Sequence, residues 1–185
     1  DKQGQKVRNV EKKMWFEGEK QKSVLFGQQL FTKGGKFVTI VEGEFDALAA
    51  YQMLGNYPVV SVRTGAQGAL GDCKEHFEWL DSFDSVVISF DSDEAGRKAA
   101  AEVAELFGNK AKVMKHIDDC KDACDYLMQR LEPQFVSSWW AAEQFKPEGI
   151  VTMQDIRDRL LKPPEAGVPW CFPTLTELTY GRRKG

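Results

Sequence analysis

No stretch of the 185 residues approaches the ~18 consecutive apolar positions that a membrane-spanning helix requires, and the N-terminus is polar and basic, unlike a signal peptide. A soluble, intracellular protein is expected. Cysteine is scarce: Cys73, Cys120, Cys124 and Cys171 form no C-x-x-C pair, and the two histidines, His76 and His116, lie far from any such pair. Neither a zinc site nor a disulfide framework is expected, which leaves free, buried or half-exposed thiols. No G-x-x-x-x-G-K-[ST] loop occurs, so the chain holds no P-loop ATPase. Internal repeats and low-complexity tracts are also missing.

What is present is a 42% hydrophobic chain, enough for one core with smaller appendages. The net charge of −3 hides an uneven distribution. Up to Lys36 there are nine basic residues (Lys2, Lys6, Arg8, Lys12, Lys13, Lys20, Lys22, Lys33, Lys36) against four acids, so this segment carries +5 and the remainder −8. A basic lobe beside an acidic body suits a phosphate-backbone partner and metal-binding carboxylates. A solvated lysine-rich surface gives the same count.

Residues 1–35 are polar and glycine-punctuated, and read as part of a small basic α+β lobe with Val24-Leu25-Phe26 and Leu30-Phe31 as apolar anchors. A regular alternation follows. Lys36–Val41 is a β-branched, buried strand; Glu44–Leu54 is a helix with Phe45, Leu48, Ala49 and Met53 on one face and Gly55 as C-cap. Strands at Tyr57–Val62, Ser85–Phe90 and Ala111–Met114 alternate with helices within Gly65–Leu80 and over Glu94–Phe107. Strands separated by helices of about a dozen residues predict an α/β fold, a parallel sheet of about four strands covered on both faces. Residues 36–131 form this domain, 132–149 a helical extension carrying Trp139-Trp140, and 150–185 a linker with one charged helix at Met153–Leu161.

In parallel sheets the functional crevice lies outside the carboxyl ends of the strands. Two acidic clusters fall there. Glu42-Gly43-Glu44-Phe45-Asp46 follows Val41, with Gly43 allowing a tight strand-to-helix turn. Asp91-Ser92-Asp93-Glu94-Ala95-Gly96-Arg97 follows Phe90, and Asp91 and Asp93, two apart, are expected to project to one side. Glu42, Asp91 and Asp93 in one crevice repel each other unless a cation neutralises them, and hard oxygen ligands suit Mg²⁺. Glu44 and Asp93 have a plainer reading as first-turn acids favouring helix N-termini. A lone D-x-D is shared with phosphatases and sugar transferases; E-G-x-x-D after one strand and D-x-D-x-A-G-R after another is more specific.

The segments Ile40–Leu48 and Phe90–Ala99 together resemble the TOPRIM domain shared by primases and topoisomerases. They are most similar to the primase core of phage primase–helicases of the short-tailed phage type, related to the mitochondrial Twinkle helicase. Gln5-Lys6-Val7-Arg8 with Lys12, and Ser23–Gly27, resemble the basic N-terminal subdomain of that core. Lys121-Asp122 resembles the family's Lys-Asp-x-Asn motif, and the C-terminal stretch resembles the linker to a ring-helicase domain. The resemblance implies a DNA primase making short RNA primers on single-stranded DNA in phage replication. A ribonucleotide 3′-hydroxyl attacks the α-phosphate of an incoming ribonucleoside triphosphate, with Mg²⁺ (Mn²⁺ as substitute) as cofactor.

The resemblance implies catalytic roles for Glu42, Asp46, Asp91 and Asp93, and metal binding by Glu42, Asp91, Asp93 and Asp122. Nucleotide or DNA binding falls to Lys6, Arg8, Lys12, Lys121 and Arg97. Cys124 departs from the family's Asn. The family's zinc-binding domain and helicase domain are absent from the chain, so a fragment of a longer, ring-forming protein is expected, monomeric by itself. A Twinkle-like protein would instead reside in the mitochondrial matrix.

Two other functions stand beside this one: a catalytically idle TOPRIM module serving DNA binding and ring assembly, and a TOPRIM nuclease. A topoisomerase is disfavoured because Tyr51, Tyr57, Tyr126 and Tyr180 lack the setting of a cleavage tyrosine. Trp139-Trp140 reads as core or linker-docking rather than a base-stacking platform, His116 as a surface histidine rather than an aid to phosphate binding, and Arg182-Arg183-Lys184 as a solvated tail rather than a DNA contact. Residues 150–162 are expected to dock on a neighbouring subunit of the full-length ring.

Overall fold

A computed structural model describes residues 4–11, 14–18, 24–55, 57–146, 156–157, 161 and 167–182. The chain divides into two compact units, Asp1–Pro147 and Glu148–Gly185.

The first unit opens with a hairpin of β1 (Gly4–Arg8) and β2 (Met14–Gly18), paired antiparallel from Gly4↔Gly18 to Arg8↔Met14. The main sheet contains β3 (Gly35–Val41), β4 (Val59–Ser61), β5 (Phe83–Ser89), β6 (Ala111–Val113) and β7 (Glu143–Gln144). Their spatial order is β4-β3-β5-β6-β7. The first four are parallel, as the alternation of strands and helices predicts, and β7 adds a fifth, antiparallel edge strand.

The central strands are largely apolar because both of their faces are covered. From β3, Val38 and Ile40 face one side with Val60, Val86 and Ile88, beneath α2 (Ala69–Glu75), α3 (Phe77–Leu80) and α4 (Glu94–Phe107). Phe37 and Val41 face the other side with Val87, beneath α1 (Glu44–Leu54), α5 (Ala123–Met128) and α6 (Glu132–Trp140). Thr39 is a buried polar residue on that second side. Its hydroxyl accepts a hydrogen bond from Trp139 Nε1 at 2.9 Å, which fastens α6 to the middle of the sheet.

The helix face expected for α1 is half right. Ala47, Ala49 and Ala50 are buried and Met53 packs partly against the core, whereas Phe45 is 70% and Leu48 55% exposed. The alanines line the face that meets the sheet, so Phe45 and Leu48 are turned outward. Of the N-terminal anchors, Leu25 is fully buried, while Val24, Phe26 and Leu30 are exposed. Trp139 is core at 2% exposure and Trp140 is half-exposed at 55%.

In the second unit, α7 (Pro173–Thr179) is flanked by the two residues of an antiparallel bridge, Val168 before it and Arg182 after it. The expected helix at Met153–Leu161 lies largely outside the described residues; Ile156 and Arg157 are helical. No helix among the described residues is long and apolar enough to cross a membrane.

Candidate active site

β3 and β5 are parallel neighbours in register, Val41 opposite Ser89, so the residues that follow them emerge side by side. Glu42 follows the first and Asp91 the second. The backbone N–H of Asp91 donates to Glu42 Oε1 at 3.0 Å, joining the two strand ends directly. Glycine at 96 makes this approach possible: a Cβ there would lie 2.2 Å from the Asp91 carbonyl oxygen and 2.7 Å from Glu42 Oε1. The Ala-Gly of the D-x-D-x-A-G-R motif therefore lets the first turn of α4 press against both acids. Gly43 serves likewise on the other side, since a Cβ there would meet Asp46 Oδ2 at 2.6 Å.

The acids divide into groups by what they touch. Asp93 Oδ1 turns back to cap α4, accepting the Gly96 N–H at 2.7 Å. Asp122 Oδ1 caps α5 in the same way, accepting the Asp125 N–H at 2.9 Å. Asp46, in the first turn of α1, accepts the Cys124 N–H at 3.3 Å. Among the described residues, one ligand atom each from Asp46, Asp122 and Cys124 lie within 4.8 Å of one another; Glu42, Asp91 and Asp93 do not gather that tightly. The Lys121-Asp122 loop is held against the D-x-D loop by the Ser92 N–H donating to the Lys121 carbonyl at 2.9 Å.

The electrostatics of this edge are those of half-buried, crowded like charges. Burial, then the charges of Glu42, Asp46 and Asp122, push the Asp91 carboxyl up to about 7. Glu42 is raised by burial and by Asp93 and Asp46, against the lowering effect of the Asp91 and Ala66 backbone N–H groups. Asp46 is raised by burial and by Asp122. Lys121 is raised by Asp122 and Asp91, and its Nζ lies 3.5 Å from Asp122 Oδ2. A hard divalent cation relieves like charges so arranged, and the carboxylate oxygens are the donor type that Mg²⁺ takes. The Cys124 thiol is pushed up to about 12 by burial and by Asp46, so it stays protonated and does not add an anion to the site.

The other basic residues of interest lie as follows. Lys6 of β1 bonds to Glu44 Oε1 at 2.6 Å, placing the hairpin beside the first turn of α1. Arg8 lies in β1, and Lys12 lies outside the described residues. Arg97 donates from Nη1 to the Ser92 carbonyl and so braces the D-x-D loop.

Two features escape inspection of the sequence. Arg63, after β4, is buried with Asp72: its N–H donates to Oδ2 at 2.7 Å and its Nε to Oδ1 at 2.9 Å. His116 Nε2 lies 3.0 Å from the Phe90 carbonyl, directly before Asp91. No motif marks either residue. An arginine two residues past a strand and an acid on the next helix are the only hint of the first.

The family model described as Toprim-like matches residues 39–127. The DNA helicase/primase of Enterobacteria phage T3 is 34% identical over 157 residues, which is 84% of this chain and 27% of that protein. The crystal structure of the primase fragment of the bacteriophage T7 primase-helicase is 34% identical, with TM-score 0.67 over 75% of this chain and 57% of that one. The primase domains of two gp4 subunits, solved with bacteriophage T7 lagging-strand DNA polymerase and bound to an RNA/DNA hybrid and dTTP, match at 34% identity. There the TM-score is 0.69 over 77% of this chain and 72% of that one. The chain belongs to the Toprim family, in the group formed by the primase cores of phage primase–helicases. It spans about a quarter of the length of the T3 protein.

Proposed function

We propose that this chain is the RNA-polymerising core of a DNA primase, adding ribonucleotides to a primer on single-stranded DNA in phage replication. The observation that carries the reading is the meeting of Glu42 and Asp91 at adjacent strand ends, with Asp91 raised to about 7 by burial and then by its acidic neighbours. Such a site is incomplete without a cation. The T3 and T7 relatives, whose names describe helicase/primase and primase activity, support the choice among Toprim chemistries.

Glu42, Asp91 and Asp93 would hold Mg²⁺, with Asp122 and Asp46 as outer members. Bound Mg²⁺ supplies neutralisation of these carboxylates and of the charge that develops on the transferring phosphate. Glu42, its carboxylate fixed by the Asp91 N–H and raised in proton affinity, is suited to take the proton of the attacking 3′-hydroxyl. The hydroxyl oxygen bonds to the α-phosphorus as the bond to the pyrophosphate leaving group breaks. Lys121, at the rim beside Asp122, and Lys6, Arg8 and Lys12 of the basic segment would bind triphosphate and template; Arg97 would steady the D-x-D loop. In the longer protein, a zinc-binding domain would select the template, and the linker 150–185 would lead to a ring-forming helicase domain in the host cytoplasm.

Single-stranded template, a diribonucleotide, labelled ribonucleotides and Mg²⁺ or Mn²⁺ test the reading. Extension by the wild type that disappears in Asp91→Ala and Glu42→Ala supports it. Template binding with no extension under any condition identifies an idle Toprim module instead.

A further inference from the structure

His116 follows β6 on the segment that leads to Lys121-Asp122. Its Nε2 lies 3.0 Å from the carbonyl oxygen of Phe90. The same peptide group, between Phe90 and Asp91, presents its N–H to Glu42 Oε1 at 3.0 Å. One peptide plane is thus gripped at both ends, by an imidazole on the carbonyl and by a carboxylate on the N–H. A carbonyl only accepts, so Nε2 carries the proton and Nδ1 is the bare acceptor. Nδ1 is buried and has no hydrogen-bond partner, so nothing competes for the other tautomer. The ring packs at a tilt against Tyr126, centroid to centroid 5.7 Å, and the Tyr126 hydroxyl accepts the Ile117 N–H at 2.8 Å.

We propose that His116 is a positioning residue for the acidic site, acting through the Phe90–Asp91 peptide. Rotation of that plane would turn the N–H away from Glu42 and move the Asp91 Cα with it. The donor on the carbonyl resists this rotation, and hydrogen bonds in series through one amide polarise and strengthen each other. Partners one step behind a site's first contacts, which fix the orientation of those contacts, change activity by about 10–100-fold when lost. The catalytic consequence rests on the primase reading; the structural coupling does not.

Three substitutions separate the donor from the ring. His116→Phe keeps an aromatic side chain against Tyr126 and removes the donor. His116→Gln can place an amide N–H near the position of Nε2, whereas His116→Asn is too short to reach the Phe90 carbonyl. In the metal-free protein, amide hydrogen exchange at Asp91 is expected to quicken by about tenfold or more in the Phe and Asn variants, relative to amides within β5, and to return toward wild type in Gln. In primer extension, kcat is expected to fall by about 10–100-fold in Phe and Asn and to recover in Gln, with KM for nucleotide nearly constant. Should the Phe variant fail to fold, Gln against Asn carries the comparison. Unchanged exchange at Asp91 in the Phe and Asn variants overturns the proposal, as does equal kcat in Gln and Asn. If the wild type extends no primer, the primase reading fails and the exchange measurement alone decides the role of His116.

Discussion

Glu42 and Asp91 are joined by a 3.0 Å hydrogen bond from the backbone N–H of one to the carboxylate of the other, across the carboxyl ends of two parallel strands. The bond fixes one carboxylate while leaving the Asp91 side chain to face its acidic neighbours, and the stability and chemistry of this edge follow from that arrangement.

Asp91 is held protonated longer than an ordinary aspartate, to about 7 against a usual 3.8. The folded state therefore binds its proton more tightly than the unfolded chain, and this group destabilises the fold increasingly as pH rises between those two values. Asp91→Asn removes the effect. The melting temperature of the variant minus that of the wild type, both metal-free, is expected to grow from pH 5 to pH 8. Saturating Mg²⁺ should shrink the difference by stabilising the wild type alone. Using a difference cancels the opposite contribution of His116, whose pKa is lowered by burial.

Asp93 should behave in the contrary way, although it is only two residues distant. Its carboxylate caps α4, so Asp93→Ala is expected to destabilise the metal-free protein by ~0.5–2 kcal/mol in urea titration. Opposite signs for Asp91→Asn and Asp93→Ala above pH 7 would separate a repelled acid from a capping one.

Gly96→Ala tests the packing beneath the site. The added methyl would fall against backbone at 2.2 Å, which a rotamer change cannot relieve. Overpacking of ~1–3 kcal/mol or more is expected, together with loss of primer extension, since α4 must withdraw from Glu42 and Asp91.

Trp139→Phe addresses the second core. It strands the Thr39 hydroxyl, which is fully buried, and removes the bond between α6 and β3. A loss of ~1–3 kcal/mol from the unpaired hydroxyl, plus the smaller ring volume, is expected in chemical denaturation. Trp140→Phe, at a half-exposed position, should cost much less.

The parallel sheet was legible because strands buried on both faces must be apolar along their whole length, and Lys36–Val41 and Ser85–Phe90 are so nearly throughout. β7 was not: Glu143 and Gln144 are polar, and only the exposed edge of β6 makes them a strand. The face of α1 was half legible: Ala49 and Met53 pack inward as expected, but Phe45 and Leu48 are exposed, and the small Ala47 and Ala50 pack in their stead. The positions of Glu42 and Asp91 followed from the strand-end rule. The capping geometry of Asp93 was half-visible, as an acid opening a helix. His116 was read as a surface residue, since its partner is a backbone carbonyl 26 positions away that no side-chain pattern reveals.

The most direct test of the central claim is template-directed addition of single ribonucleotides. A diribonucleotide annealed to single-stranded DNA would be offered one ribonucleoside triphosphate at a time with Mg²⁺. The account predicts extension only by the nucleotide complementary to the next template base, and none by Asp91→Ala at equal template occupancy. Extension indifferent to the template, cleavage of the DNA strand in place of extension, or undiminished synthesis by Asp91→Ala would contradict it.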